Sequence, residues 1–372
     1  MSIDKYYLGK VMKFIEDTSS TMTIKDVQAS TKWAPSPTMI PNFGVTASSY
    51  WGRVDLENTV EHPRCEWYFE LGYPSIDYVD LYVTDSTGKT LEFHSGDRMP
   101  FHMREVPNRN FVYRIHLDKG KYSICFRART QGTMFLPATI YSVKGFYSLN
   151  MEDIALGFYF GLMMAMFLYN LILYVRLREP SYLYYILFIF CFIWYQATES
   201  GFLSQFILTG SPDLVNASTH FSFILVELFA VLFSIHFLSL KNTSRFLYRI
   251  FMALVIIHIV LVLSINFFDH MMKMYISIPL AFLVFPLIFS SGVVSTIRGY
   301  RPAYFFSAAW ASLIIMSMLG NAELAGYIPS FFFITWGVRI GSGMEVILLS
   351  MALADRIDLL KKVSHGTRAS LP

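Results

Sequence analysis

The sequence predicts an all-β sandwich domain outside a membrane, followed by an all-α bundle of seven transmembrane helices. Three observations carry that expectation. Of the 372 residues, 54% are hydrophobic, 17% aromatic and only 15% charged, a balance too apolar for a soluble chain of this length. The apolar residues are unevenly spread: charge and turn chemistry concentrate in residues 1–149, whereas 150–355 read as successive long apolar blocks. Within the first part, short stretches alternate apolar and polar side chains between turns, the period-two pattern of half-buried strands. Residues 356–372 then start a cytoplasmic helix and tail.

The strands are clearest from Tyr50 to Ser142. Trp51–Asn58 places Val54 and Leu56 on one face and Arg53, Asp55 and Glu57 on the other. After a turn at Pro74 and Ser75, Ile76–Val83 sets Val79, Leu81 and Val83 opposite Tyr78, Asp80 and Tyr82. Asp85–Thr90 (DSTGKT) has hairpin-turn chemistry, and Phe111–Leu117 and Tyr122–Arg129 are further strands joined by Asp118–Lys121. A sandwich of about eight strands fits this length.

Runs of about 20 apolar residues give the spans Ile154–Val175, Tyr182–Phe202, Thr219–Leu240, Leu247–Phe267, Met274–Ile297, Ala303–Ala325 and Phe333–Ala354. Basic residues gather in alternate connections: Arg176 and Arg178; Lys241, Arg245 and Arg249; Arg298 and Arg301; Arg356, Lys361 and Lys362. The opposite connections hold only Lys273. By the positive-inside rule the first set is cytoplasmic, which puts the β domain outside and the C-terminus inside. An outside domain needs an export signal, and the first residues lack its apolar core, so the expectation is that a leader and the C-terminal end have been trimmed.

Outward-facing strand positions carry Arg53, Tyr78, Asp80, Tyr82, Arg98, Arg104, Arg109, Arg127 and Arg129. Guanidinium groups beside aromatic rings suit stacking on, and bidentate bonding to, small polar ligands, and sugars or carboxylates both satisfy them. The ligand-binding set is therefore Trp51, Arg53, Tyr78, Asp80, Tyr82, Arg98, Arg109 and Arg127. Trp51 and Trp67 read either as a sugar platform or as core and rim residues. No loop has the alternating Asp/Asn pattern of a calcium site, and the three cysteines, Cys65, Cys125 and Cys191, lack metal or redox spacing. Cys65 and Cys125 read as a disulfide or as two buried thiols. No metal, cofactor or catalytic residue is expected, and no basic run suggests nucleic acid.

Polar residues inside the spans are costly, and here they include Asn170, Glu199, His220, Glu227, His236, His258, Asn321, Glu323, Arg339 and Glu345. Glu199, Glu323, Arg339 and Glu345 form the expected coupling set, with Glu323 and Glu345 as counter-charges for Arg339. Packing specificity and a ligand or ion site are both open readings of it. No span has a mid-span lysine, which disfavours a Schiff-base photoreceptor. Gly341 and Gly343 permit close approach on the last helix, whose extension past Ala354 reads as the start of a coiled-coil homodimer or as a membrane-surface segment.

Several motifs carry a family resemblance: WGRVDLEN, WYFELGYPSIDYVDLYV, GDRMPF and NRNFVYRIHL in the first half, and LGFYFGLMMAMFLYNLILYVRLREPSYLYYILF, RGYRPAYFFSAAW and VILLSMALADRI in the second. In these the chain resembles the bacterial seven-transmembrane receptors with diverse intracellular signalling modules, of the kind bearing a type-2 extracellular domain. The resemblance runs from Phe14 to Ile357. It implies a jelly-roll sensor similar to carbohydrate-binding modules, joined to a seven-helix transducer in the bacterial inner membrane that passes its signal to a cytoplasmic module or partner. Family outputs include diguanylate cyclases and histidine kinases, and no such motif is present here. The expected function is a receptor for a glycan or carboxylate in the periplasm. A transporter or channel using the intramembrane Glu and Arg residues is the alternative, and the odd helix count without an inverted repeat weakens it. An intramembrane hydrolase lacks a GxSxG or HExxH motif in the helices.

Overall fold

The structure, a computed structural model, describes residues 4–59, 66–148, 150–268, 270–324, 328 and 336–369, without the side chains at 266, 270, 271, 274, 321, 324 and 358–369. It divides into two compact units, Met1–Asn150 with Gln196–Thr219, and Met151–Tyr195 with His220–Pro372.

The first unit is built from β1 (Lys5–Tyr7), β2 (Lys13–Asp17), α1 (Ile24–Ala29), β3 (Ala34–Pro35), β4 (Asn42–Val45), β5 (Ser49–Asn58), β6 (Glu66–Leu71), β7 (Tyr78–Asp85), β8 (Thr90–Ser95), β9 (Phe111–His116), β10 (Gly120–Arg129), β11 (Thr133–Phe135), β12 (Ala138–Ser142) and the short helix α2 (Val143–Tyr147). A six-stranded sheet runs β3-β2-β5-β10-β7-β8, and a four-stranded sheet runs β1-β12-β6-β9. Every pairing in them is antiparallel.

Alternation explains why these sheets pack on one another. Along β10, Ile124, Phe126 and Ala128 point inward, and their register partners Val54, Gly52 and Tyr50 on β5 and Val83, Leu81 and Val79 on β7 share that face. Phe69, Tyr113 and Ile140 of the four-stranded sheet meet them in a single core, with the Phe69 and Phe126 rings 6.0 Å apart. Each such ring removes enough apolar surface from water to contribute roughly 2–3 kcal/mol.

The turn at Asp85–Thr90 forms as expected. Asp85 Oδ1 accepts from the Thr87 and Lys89 amides at 2.8 and 3.0 Å. The link Asp118–Lys121 joins the two expected strands, β9 and β10, without pairing them. It carries the chain from β9 in one sheet to β10 in the other, because both strands must bury a face in the same core and neither partner is its sequence neighbour. α1 is set by a capping box in which Asp26 Oδ2 accepts from the Thr23 amide at 2.8 Å and Thr23 Oγ1 accepts from the Asp26 amide at 3.4 Å.

The helices that follow are α3 (Met151–Leu177), α4 (Pro180–Glu199), α5 (Pro212–Phe237), α6 (Leu240–Thr243), α7 (Arg245–Ser264), α8 (His270–Ile297), α9 (Ala303–Leu324) and α10 (Gly337–Ala369). Among the described residues, seven helices are long and apolar enough to cross a membrane. The third starts at Pro212, ahead of the expected Thr219, because the polar stretch Asp213–Ser218 is helical too. Pro180 and Pro212 open their helices, where a missing amide hydrogen leaves no bond unmade.

The core of the second unit is aromatic. Tyr185 and Phe233 lie 5.1 Å apart and Phe233 and Phe306 6.0 Å apart, with Trp310, Val346 and Leu349 fully buried beside them. α10 packs on α9 and α3. Its helical backbone continues past Ala354 as expected, while the coiled-coil seam at Leu359, Leu360 and Val363 lies outside the described side chains.

Candidate functional site

Six of the eight residues expected to bind ligand, Trp51, Arg53, Tyr78, Asp80, Tyr82 and Arg127, share the outer face of the six-stranded sheet. Across β5, β10, β7 and β8 one row reads Arg53, Cys125, Tyr82, Glu92, and the next reads Trp51, Arg127, Asp80, His94. Arg129 sits opposite Tyr78 one row further on, its guanidinium 4.4 Å from the ring. His94 Nδ1 lies 2.7 Å from Asp80 Oδ1, and Arg53 Nε donates to Asp55 Oδ1 at 3.0 Å. Tyr78 is 40% exposed. The face thus offers aromatic surface, guanidinium donors and carboxylate acceptors within a few rungs of one sheet.

Trp51 belongs to this face but is not a platform. It is 1% exposed, covered by Val27 of α1 and flanked by Ile15 and by Tyr82, whose ring lies 5.9 Å away. The Arg127 guanidinium lies 5.8 Å from the Trp51 ring and its Nη2 donates to the Ser20 carbonyl, so Arg127 also helps to hold this cover. Strand alternation identifies the face, yet it cannot reveal a segment folded back over it. Trp67 stands in the other sheet, 6.3 Å from Tyr6.

Arg98, Arg109 and Arg104 are not on that face. Arg98 Nε donates to Asp77 Oδ1 at 3.2 Å. Arg104, 9% exposed, donates through Nη1 to the carbonyls of Asn108 and Arg109 at 2.8 and 2.7 Å, and its guanidinium lies 4.5 Å from the Phe111 ring. It is an internal brace for the loop before β9. Cys125 is a buried free thiol whose pKa burial pushes up, and Cys65 lies outside the described residues.

Gln196–Thr219 belongs to the same unit as the β strands. A π-helical turn, Leu203–Ile207, leads into a loop whose Thr209 carbonyl accepts from the Phe101 amide at 2.9 Å. Gly201, at φ +77°, fits where no side chain would: an added Cβ would lie 2.9 Å from Pro74 Cβ and 3.0 Å from the Arg109 carbonyl oxygen.

In the helical unit, Asn170 donates to Ser350 Oγ at 3.0 Å, and the hydroxyls of Tyr159 and Ser342 lie 3.1 Å apart. His258 Nδ1 donates to the Leu254 carbonyl, which turns Nε2 toward Glu227 Oε2 at 3.1 Å in a fully buried pair. His236 bonds its own helix at the Leu232 carbonyl. Arg356, at the start of the C-terminal extension, pairs with Glu179 at 3.0 Å.

The expected Arg339–Glu345 pair is not formed. Glu345 is 0% exposed and neither carboxyl oxygen has a hydrogen-bond partner among the described residues, while the Arg339 guanidinium lies 5.0 Å from the Trp336 ring. Six residues advance an α-helix by about 9 Å and leave the two side chains on different faces. Glu199 and Glu323, the other members of the coupling set, lie at the ends of α4 and α9.

A family model described as 7TM diverse intracellular signalling matches residues 152–356, and one described as 7TMR-DISM extracellular 2 matches residues 9–142. The chain belongs to the 7TM diverse intracellular signalling family. No curated protein matches it. Membership makes the chain a multi-pass membrane protein of sensory type, with its N-terminal β domain extracellular. In this receptor the groups that sequence reasoning missed are buried polar ones. Glu70 accepts from Asn110 Nδ2 and from Tyr141 OH, both at 2.7 Å, and Asp97 is held beneath Gln196–Thr219. Nothing local in the sequence marks either, since each is defined by chain from a distant stretch.

Proposed function

We propose that the receptor binds a small polar ligand, a glycan or a carboxylate, on the outer face of its six-stranded sheet, in the manner of a jelly-roll carbohydrate-binding module. The observation that carries this reading is the gathering of Arg53, Tyr78, Asp80, Tyr82 and Arg127 in adjacent rows of one sheet. Binding shifts the helix bundle between two arrangements, and the continuous last helix relays the shift to a cytoplasmic signalling module or partner. The basic residues of alternate connections support a bacterial inner-membrane protein with a periplasmic β domain and a cytoplasmic C-terminus. The chain itself acts by relay rather than by catalysis, with the lipid bilayer and a second copy of itself as its other partners.

Calorimetric titration of the full chain in lipid nanodiscs against a panel of glycans and organic acids tests this. Arg53→Ala and Tyr82→Ala are expected to weaken the binding ligand at least tenfold. Binding that both variants leave intact would move the site off this face.

A transporter or channel is the second reading, favoured by the fully buried carboxyl of Glu345, which has no hydrogen-bond partner among the described residues. Substrate flux in proteoliposomes that vanishes in Glu345→Ala would establish it in place of the first.

A further inference from the structure

We propose that Asp97 is a proton-binding site that couples the acidity outside the membrane to the seating of Gln196–Thr219 on the β domain. The inference is independent of what the sheet face binds. It starts from the way this segment is held. Besides the Phe101–Thr209 hydrogen bond and the close fit of Gly201, Asn216 Nδ2 donates to the Asp97 main-chain carbonyl at 3.4 Å. Asp97, Phe101 and Arg104 on one side and Leu208, Thr209 and Val215 on the other line a cavity of about 10 Å³, room for one water molecule. Asp97 Oδ1 and Arg104 Nε are both buried there without a hydrogen-bond partner among the described residues. A carboxyl in such a place is charged only at a cost, because burial strips it of bulk water and its Oδ1 has no donor among the described residues.

The surrounding charges make that cost sensitive to pH. Burial, and then the nearby Asp77 carboxylate, push the Asp97 carboxyl up to about 7, against the opposing pull of Arg98, Arg104 and Asn216. Tyr73, partly buried in the link from β6 to β7, also lies in its field and in that of Glu199 at the start of the segment. Asp77 is itself occupied, accepting from Arg98 and from the Gln131 amide, so it stays as a fixed neighbour.

The sign follows from linkage. With the segment lifted away, Asp97 is hydrated and returns toward the usual aspartate value of about 3.9. The seated form therefore holds the proton more tightly, and protonation favours seating. That contribution is fully present below about 4 and is lost as pH rises through about 7. Gln196–Thr219 joins α4 to α5, so a change in its seating is delivered directly to the ends of two membrane helices.

Hydrogen exchange on the full chain in lipid nanodiscs tests the proposal, read as protection factors so that the pH dependence of the chemical step is divided out. Protection across Leu203–Ser211 and at the Phe101 amide is expected to fall about tenfold between pH 6 and pH 8. Asp97→Asn should hold the higher protection at both pH values, and Asp77→Asn should move the wild-type midpoint to lower pH by removing the like charge. Equal wild-type protection at pH 6 and 8 would overturn the proposal. So would a fall that persists in Asp97→Asn or a midpoint that Asp77→Asn leaves in place.

Discussion

The side-chain amide of Asn170 donates to Ser350 Oγ at 3.0 Å, tying the first membrane helix, α3, to the last, α10. Both residues are buried, and hydrocarbon offers neither a replacement partner. Interhelical bonds of this kind contribute about 0.6–2 kcal/mol. Asn170→Ala and Ser350→Ala are expected each to destabilise the bundle by about that amount, and the double variant by less than their sum. Equilibrium unfolding in mixed detergent micelles measures all three. Strict additivity would mean that the bond adds nothing.

Trp51 separates holding the binding face from forming it. Its indole is enclosed by Ile15, Val27 and Tyr82, so Trp51→Ala opens a large void and is expected to cost about 3–5 kcal/mol. Arg53 on the same face bonds to its exposed neighbour Asp55 and lies 5.9 Å from the Trp33 ring, so Arg53→Ala should leave stability within about 1 kcal/mol. Thermal denaturation of the full chain distinguishes the two. Equal melting temperatures for the two variants would show that the cover over Trp51 carries no structural weight.

These contrasts also mark how far the sequence could be read. The strands at Trp51–Asn58 and Tyr78–Val83 were legible because burying one face of a sheet forces alternation, and the spans because hydrocarbon forces long apolar runs. Register is not legible, so Arg98 and Arg109, similar in type to Arg53 and Arg127, read as members of the same set although they lie off the sheet. That the link Asp118–Lys121 joins two strands is legible, but only the shared core decides that it crosses between sheets. Asp97 gave no signal at all, since its burial depends on chain more than a hundred residues away.

Acid should loosen the cover over the binding face. Asp17, at the end of β2, accepts from Ser19 Oγ at 2.7 Å and from the Met22 amide at 2.9 Å, fixing the start of the covering segment. Burial raises its carboxyl, but these hydrogen bonds outweigh it and hold the group below the usual value. A carboxylate so favoured stabilises the folded form above its unfolded pKa, near 3.9, and that contribution is lost as pH falls through the lower folded value. Exchange at the Met22 amide, expressed as a protection factor, is therefore expected to drop below about pH 4. In Asp17→Ala it should already be low at neutral pH. Unchanged protection down to pH 3 would show that Asp17 does not hold the segment.

Gly341 and Gly343 stand two residues apart on α10 and face different neighbours, so the same substitution should act oppositely at each. A Cβ at Gly341 would lie 2.9 Å from Met316 Cβ and 3.2 Å from Leu313 Cα, where α9 and α10 can yield only by moving apart. Overpacking of this kind costs about 1–3 kcal/mol. At Gly343 the nearest atom is the mobile end of Leu162, 3.4 Å away, so alanine fits and gains about 0.5–1 kcal/mol from the stiffer helix. Detergent unfolding of the two single variants should therefore give shifts of opposite sign. Equal destabilisation by both would mean that α10 is less closely seated on α9 than the 2.9 Å approach implies.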